Sequence, residues 1–281
     1  MAKLKRPKIG LALGSGGPRG LAHIGVIKIL EENNIPIDFI AGSSIGAMVG
    51  GFYAATKDIR QVEEIALGTN WKMILALIDP SFRQGLLGGK KVNTFIEDHI
   101  DKMDFSDLKV PLSVVATNFK NGDAVIINKG DVASAIRASI SLPLVFKPVE
   151  RDGKMLADGG LSLPVPVEVV RKMGADLVIA VNLDADYFAD SNNENNKFGF
   201  YKMAENSINL LRHHLAHRNV ENADIIINPR VGNAHWGKFL DGKDIISAGE
   251  KATKIKLSQL NESMHQENKD VLSKFLDFLK L

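Results

Sequence analysis

Two short apolar runs open this chain, each closed by a glycine-bearing turn and each followed by a segment of helical periodicity. Lys8–Leu13 leads into Gly14-Ser15-Gly16-Gly17-Pro18-Arg19-Gly20, and Leu21–Leu30 then carries apolar residues at helical spacing. Phe39-Ile40-Ala41 leads into Gly42-Ser43-Ser44-Ile45-Gly46, and small and apolar residues continue at helical spacing to Ala54. Strand, loop and helix, repeated twice, is the start of an α/β sheet whose parallel strands are joined by crossover helices. Further on, Leu177–Asn182 and Ile225–Asn228 are nearly continuous apolar runs, as expected of strands buried on both faces.

The second turn fits G-x-S-x-G, the pattern of a nucleophile elbow. A strand–turn–helix with Ser44 at the bend exposes its hydroxyl at a helix N-terminus, where backbone N–H groups favour negative charge. Gly42 and Gly46 supply the permissive backbone and close packing that such a bend needs. Five residues of this kind also occur as a plain turn opening a helix, so the reading depends on what else the chain supplies.

Bulk properties exclude several classes. The 281 residues can bury a substantial core, and 45% hydrophobic with 24% charged content is that of an ordinary globular protein. A net charge of +2 gives no pull toward nucleic acid. Without cysteine there is no disulfide, thiolate nucleophile or cysteine metal site. No run reaches the length of a membrane span, and Ile9–Leu13 is too short for a signal-peptide core. The expectation is a cytoplasmic protein that meets any lipid from the water side, with at most transient membrane-surface contact. Lys3, Lys5, Arg6 and Lys8 read as a solvated basic terminus.

Between the sheet elements, Trp71–Ile78 is strongly apolar and is followed by Gly85-Leu86-Leu87-Gly88-Gly89. A buried helix and loop is the plain reading; a flap over an apolar pocket is the sharper one. Leu112–Ala116 and Ala124–Ile127 read as strands around the hairpin signal Asn121-Gly122. Val132–Ala138 is a short helix, and Arg151-Asp152-Gly153-Lys154 is a turn before Met155-Leu156-Ala157. Asp184–Phe198, rich in Asn and Asp, reads as a surface loop, and Tyr201–Asn219 as a helix. Two further helices, about Asp244–Met264 and Lys269–Leu279, are expected to dock on the core. With no repeat and no clean linker, a single domain over 1–281 is expected.

An acyl-transfer site needs a nucleophile, a base and donors for the oxyanion. Gly16 and Gly17 lie in a turn that shares its crevice with Ser44, because loops at the carboxyl ends of neighbouring parallel strands face one another. A dinucleotide fingerprint competes for this turn. It would need glycine where Arg19 stands or where Ser15 stands, and its acidic residue, Asp38, precedes the second strand instead of ending it. For a base, a late histidine would be His235 or His265, neither in a clear strand-end loop. His213, His214 and His217 read as a polar helix face, and His23 as a packing residue. Asp158, in Ala157-Asp158-Gly159-Gly160, follows a short strand at a turn sharp enough to aim its carboxylate back at the site.

Four blocks in order carry a resemblance: Gly14–Gly20 followed by Ala22-His23-Ile24-Gly25-Val26; Gly42–Gly46; Ala138-Ser139-Ile140-Ser141-Leu142-Pro143 with Phe146 and Pro148; and Asp158-Gly159-Gly160. Together they resemble the patatin-like phospholipases, from about Ile9 to Val167 and more weakly to Pro229. The resemblance implies a three-layer α/β/α fold with a mostly parallel sheet. It implies a Ser–Asp dyad without histidine, with Ser44 as nucleophile and Asp158 as base. It further implies an oxyanion hole from Gly16 and Gly17, with Arg19 nearby and Ile45 at the head of the elbow helix. Gly20, Gly42, Gly46, Gly159 and Gly160 are the motif glycines. Two positions depart from the pattern: Ser15 stands for a glycine, and Leu163 for an asparagine that would help position the base. The implied substrate is a phospholipid or lysophospholipid ester, with no metal, cofactor or nucleic acid. The competing readings are an esterase or acyltransferase with a histidine triad and a non-catalytic nucleotide-binding module.

Overall fold

The computed structural model describes residues 6–68, 90–100, 102–143, 145–186, 199–231 and 242–279. The strands are β1 (Ile9–Leu13), β2 (Phe39–Ser43), β3 (Leu112–Asn118), β4 (Ala124–Ile127), β5 (Val149–Arg151), β6 (Lys154–Asp158), β7 (Leu177–Val181) and β8 (Ile225–Ile227). The helices are α1 (Ala22–Glu32), α2 (Ile45–Thr56), α3 (Ile59–Leu67), α4 (Lys90–Ile100), α5 (Val132–Ser139), α6 (Val167–Lys172), α7 (Phe200–Asn219) and α8 (Gly242–Leu279). One sheet runs in the order β5-β6-β3-β2-β1-β7-β8, with β4 also paired to β3. Strands β3, β2, β1, β7 and β8 run parallel, and β4, β5 and β6 are antiparallel to their neighbours.

Side-chain alternation sorts the core into two sides. Ile9, Leu11 and Leu13 of β1 join Ile40, Val114, Ile179 and residues of α1, α2, α5 and α8 in one apolar cluster. The opposite face carries Ala12, Ala41, Val115, Val178 and Ala180, packed against α6 and Ala216 of α7. Small strand residues on that face let α6 lie close. The sheet therefore has helices on both faces, the three-layer α/β/α arrangement expected of a mostly parallel sheet.

The sheet's most consequential feature is at β3. β2 pairs with Leu112–Val115, and β6 pairs with Ala116–Asn118. Because β4 covers the other edge over Val114–Thr117, β2 and β6 must share one edge. They run toward each other along it and meet end to end. Ser43 stands opposite Val115 and Asp158 opposite Ala116, the next residue along.

The hairpin at Asn121-Gly122 joins β3 to β4, with Gly122 at φ +80°. Asp152 (φ 50°) and Gly153 (φ 71°) turn β5 into β6. One expectation is corrected at the C-terminus: the two helices are the single helix α8. No Gly or Pro follows Gly249, so nothing in the sequence of 250–279 ends a helix there. α8 lies along α1 at backbone contact, since a Cβ on Gly25 would sit 2.0 Å from the Ile246 carbonyl oxygen and one on Gly249 2.0 Å from that of Ala22. Among the described residues no helix is long and apolar enough to cross a membrane. Trp71–Leu87 lies outside the described residues, as do His235 and most of the expected loop, 187–198.

Candidate active site

Ser44 closes β2 and caps α2, with φ 54° and ψ −123°. Positive φ on a serine is unfavourable, and neighbouring contacts hold it there. Gly46 touches the end of β1: a Cβ would lie 2.2 Å from the Leu13 carbonyl oxygen. The Ser44 amide donates to Ser139 Oγ at 2.8 Å, and Ser139 Oγ donates to the Val115 carbonyl at 2.5 Å. Helix α5 thus fastens the elbow to β3.

The end-to-end meeting of β2 and β6 brings Asp158 to Ser44 although 114 residues separate them in sequence. Ser44 Oγ donates to Asp158 Oδ2 at 2.6 Å, the short distance of a hydroxyl–carboxylate bond. The other oxygen, Oδ1, accepts from the Gly160 amide at 2.7 Å. The Asp158 backbone is held on both sides: its N–H donates to Ser141 O at 3.0 Å, and Thr117 Oγ1 donates to its carbonyl at 2.7 Å. Gly159 leaves no room for a side chain, because a Cβ would lie 2.2 Å from Val115 O and 2.7 Å from Ser43 Oγ. Leu163 packs with the α6-side cluster, and the carboxylate receives its fixed donor from Gly160.

Asp158 is 4% exposed. Burial pushes its pKa up to about 6, against the opposing hydrogen bonds from Ser44 and Gly160 and the charge of Arg212. It is ionised at neutral pH and a better proton acceptor than a solvated aspartate.

The first glycine turn flanks this pair. Leu13 pairs with Gly42, so both turns leave the sheet at one level. Ser15 faces Gly160, and Gly20 abuts Ile45. Gly14 and Ser15 amides are bonded to Val181 O and Pro164 O, whereas those of Gly16 and Gly17 have no acceptor among the described residues. Gly17 takes φ 56° at the start of the 3-10 turn Gly17–Leu21. Free amides there, with that of Ile45 at the first position of α2, are the donors an oxyanion requires.

Arg19 is turned away from solvent and its guanidinium is fully engaged. It donates to Gly16 O at 3.2 Å, to the Leu183 carbonyl, and to Asp184 Oδ1 at 2.7 Å. Asp184 is 1% exposed and also takes Arg212 Nε at 2.9 Å on Oδ2 and Arg212 Nη2 at 3.0 Å on Oδ1. Burial alone would raise Asp184, but Arg212 and Arg19 hold it below the ordinary carboxylate range. The sequence assigns no site role to Asp184, Arg212, Ser139, Ser141 or Thr117. The Ser139-x-Ser141 pair was visible as a motif without a role; the arginine–aspartate–arginine bridge has no local signal.

The other candidates lie elsewhere. His23 is buried in α1 and bonded through Nε2 to Gly14 O at 2.8 Å, with burial pushing its pKa down to about 4. His265 is exposed on α8, and His213 Nδ1 meets Asp184 O at 2.7 Å. Among the described residues no histidine bonds to Ser44 or Asp158. Asp38, the ribose candidate, is held by Arg6 at 2.7 Å and the Ile9 amide at 2.8 Å. No group of three potential metal ligands occurs among the described residues.

Comparison with known proteins identifies the family. The family model described as patatin-like phospholipase matches residues 11–171. An NTE family protein of Mycobacterium bovis is 42% identical over 179 residues, covering 63% of this chain and 49% of that protein. A lysophospholipase of Emericella nidulans is 35% identical over 181 residues, covering 62% of this chain and 12% of that one. The chain therefore spans about half the length of the mycobacterial relative and a small part of the fungal one. Among solved structures, VipD of Legionella pneumophila superposes with a TM-score of 0.53 at 14% identity, over 90% of this chain and 67% of that one, a likeness of fold. With more than half of its length matched by the family model, this chain belongs to the patatin-like phospholipase family.

Proposed function

We propose that this protein is a serine hydrolase of lipid esters, of phospholipase or lysophospholipase type, working through a Ser44–Asp158 dyad. The observation that carries the reading is the 2.6 Å bond from Ser44 Oγ to a buried carboxylate whose pKa is raised to about 6. Family membership and the lysophospholipase relative support the substrate class.

In the first half-reaction Ser44 Oγ attacks the ester carbonyl carbon while its proton passes to Asp158 Oδ2. The carbonyl oxygen becomes an oxyanion and receives N–H groups from Gly16, Gly17 and Ile45, aided by the N-terminal end of α2. Collapse breaks the ester C–O bond, and the leaving alcohol takes the proton from Asp158. Water then attacks the acyl-serine carbonyl and gives a proton to Asp158; the bond from the acyl carbon to Ser44 Oγ breaks, and Asp158 returns that proton to Oγ as the fatty acid departs. Arg19 contributes by holding the Gly16 carbonyl, which orients the peptide that carries the Gly17 amide. Helix α8 belongs to the same hydrolase unit in this reading, through its contact with α1.

The test is labelling with a fluorophosphonate probe, with product analysis on a mixed phospholipid and lysophospholipid panel. Wild type should be labelled at Ser44 and release fatty acid. Ser44→Ala should lose both, and Asp158→Asn should lose about a hundred- to ten-thousandfold in rate. Unlabelled Ser44 together with an unaffected Asp158→Asn would overturn the reading.

A further inference from the structure

Helix α7 has two dissimilar faces. Its inner face carries Arg212, bonded to Asp184, and Ala216, which is buried against the sheet. Its outer face leaves three large apolar side chains in water: Met203 is 50% exposed, Leu210 47% and Leu211 66%. At roughly 100° per residue these three share a sector of about 120° with His214, His217 and Arg218, which are also exposed. Glu205 is the only acidic residue in the helix, and it is partly buried outside that sector.

A solvated helix face seldom gathers three bulky apolar groups without a use for them. Aliphatic side chains beside cationic and imidazole groups, without an acid, fit the boundary between acyl chains and anionic headgroups when a helix lies in the plane of the surface. A second copy of the chain fits less well, because it would bring the same Arg218 to the contact with no carboxylate to meet it.

We propose that the outer face of α7 is the surface by which this protein docks on anionic lipid bilayers. The inner face of the same helix holds Asp184, and Asp184 holds Arg19 of the first glycine turn, so the docked face lies one helix away from the site. α7 also packs against the turn that follows Asp158. The proposal rests on the lipid-ester reading for its purpose, but its measurement is separate.

The experiment uses the full chain carrying Ser44→Ala, so that lipid is not consumed, and co-sedimentation with vesicles of phosphatidylcholine alone or mixed with phosphatidylglycerol. The parent should bind the mixed vesicles. Leu210→Asp with Leu211→Asp should lower that partition by about tenfold or more, since two apolar groups are removed from the surface and like charges are added. Arg218→Glu should weaken binding to the mixed vesicles selectively. With Ser44 restored, the double variant should cleave water-soluble p-nitrophenyl butyrate at the parent's rate while losing activity on vesicles. A parent that does not bind, or a double variant that binds equally well, overturns the proposal. So does a parent dimer in sedimentation equilibrium that the double variant abolishes. Failure of the wild type to cleave the soluble ester would instead count against the reading of the site and leave the vesicle result standing.

Discussion

The Ser44 amide donates to Ser139 Oγ, and that hydroxyl in turn donates a hydrogen bond to the Val115 carbonyl. The elbow's strained residue is therefore tied to both α5 and β3, and its N–H is not available to an oxyanion. Donors must come from Ile45 and from the Gly16–Gly17 turn.

Ser139→Ala leaves the Ser44 N–H and the Val115 carbonyl without partners. The cost expected is about 1–3 kcal/mol of stability. A loosened elbow should also lower kcat by roughly tenfold. Chemical denaturation and steady-state kinetics on a soluble ester measure the two effects; a variant with parental kcat would show that the elbow holds without Ser139.

With Asp158 as the proposed base, its ionisation should govern the acid side of activity. A base with a pKa of about 6 predicts a kcat/KM plateau above pH 7 and a fall of about tenfold per pH unit below 6. A solvated aspartate would keep activity down to about pH 4. A pH–rate profile distinguishes the two.

The same shift has a stability consequence. Folding raises the Asp158 pKa from 3.8 to about 6, so the stabilisation from protonating it is full below pH 3.8 and lost as pH rises through 6. Asp158→Asn removes the buried charge and should be more stable than wild type at pH 8, by up to about 3 kcal/mol. The gap should close on acidification toward pH 4. Melting temperatures across that range, measured beside the activity loss, test the trade between a reactive carboxylate and a stable fold.

Asp184 neutralises two buried arginines at once. Asp184→Ala should cost about 3–5 kcal/mol, because Arg19 and Arg212 are left without their shared acceptor. Arg212→Gln is gentler and more informative: it removes a positive charge that lowers the Asp158 pKa. The acid limb of the pH–rate profile should move upward, and Arg212→Lys should largely restore it. A purely structural role would lower the rate without moving that limb.

Gly159→Ala tests the tight meeting of the strand ends. Its Cβ would fall 2.2 Å from Val115 O, a backbone atom that cannot yield cheaply. Loss of activity with a marked drop in melting temperature is expected; the homologous change at Gly153, which has open space around it but φ 71°, should show only a modest backbone penalty.

The elements that were legible in the sequence are those with local signals. The two glycine turns sit between an apolar run and a helical period, and the Asn121-Gly122 hairpin announces itself in two residues. Ser44 and Asp158 were named from turn chemistry and the order of four blocks. The aspartate's environment was not legible: burial between β3 and two turns raises its pKa to about 6, and no local pattern in the sequence shows that burial. Arg19 and Asp184 lie 165 residues apart, so no window on the sequence contains both. The single helix α8 was read as two because His265-Gln266-Glu267-Asn268 interrupts the apolar period, although none of those residues stops a helix.

The shared edge of β3 acts as a ruler. Ser43, which leads directly into the proposed nucleophile, and the proposed base Asp158 are registered against Val115 and Ala116, one strand step of about 3.3 Å, and not against each other through the intervening chain. Residues added to or removed from the connecting loops leave that spacing untouched, whereas one residue inserted between Val115 and Ala116 would separate the two groups. A transplant of this chemistry onto another parallel sheet needs three strand ends and their turns, and can dispense with the natural length of what joins them.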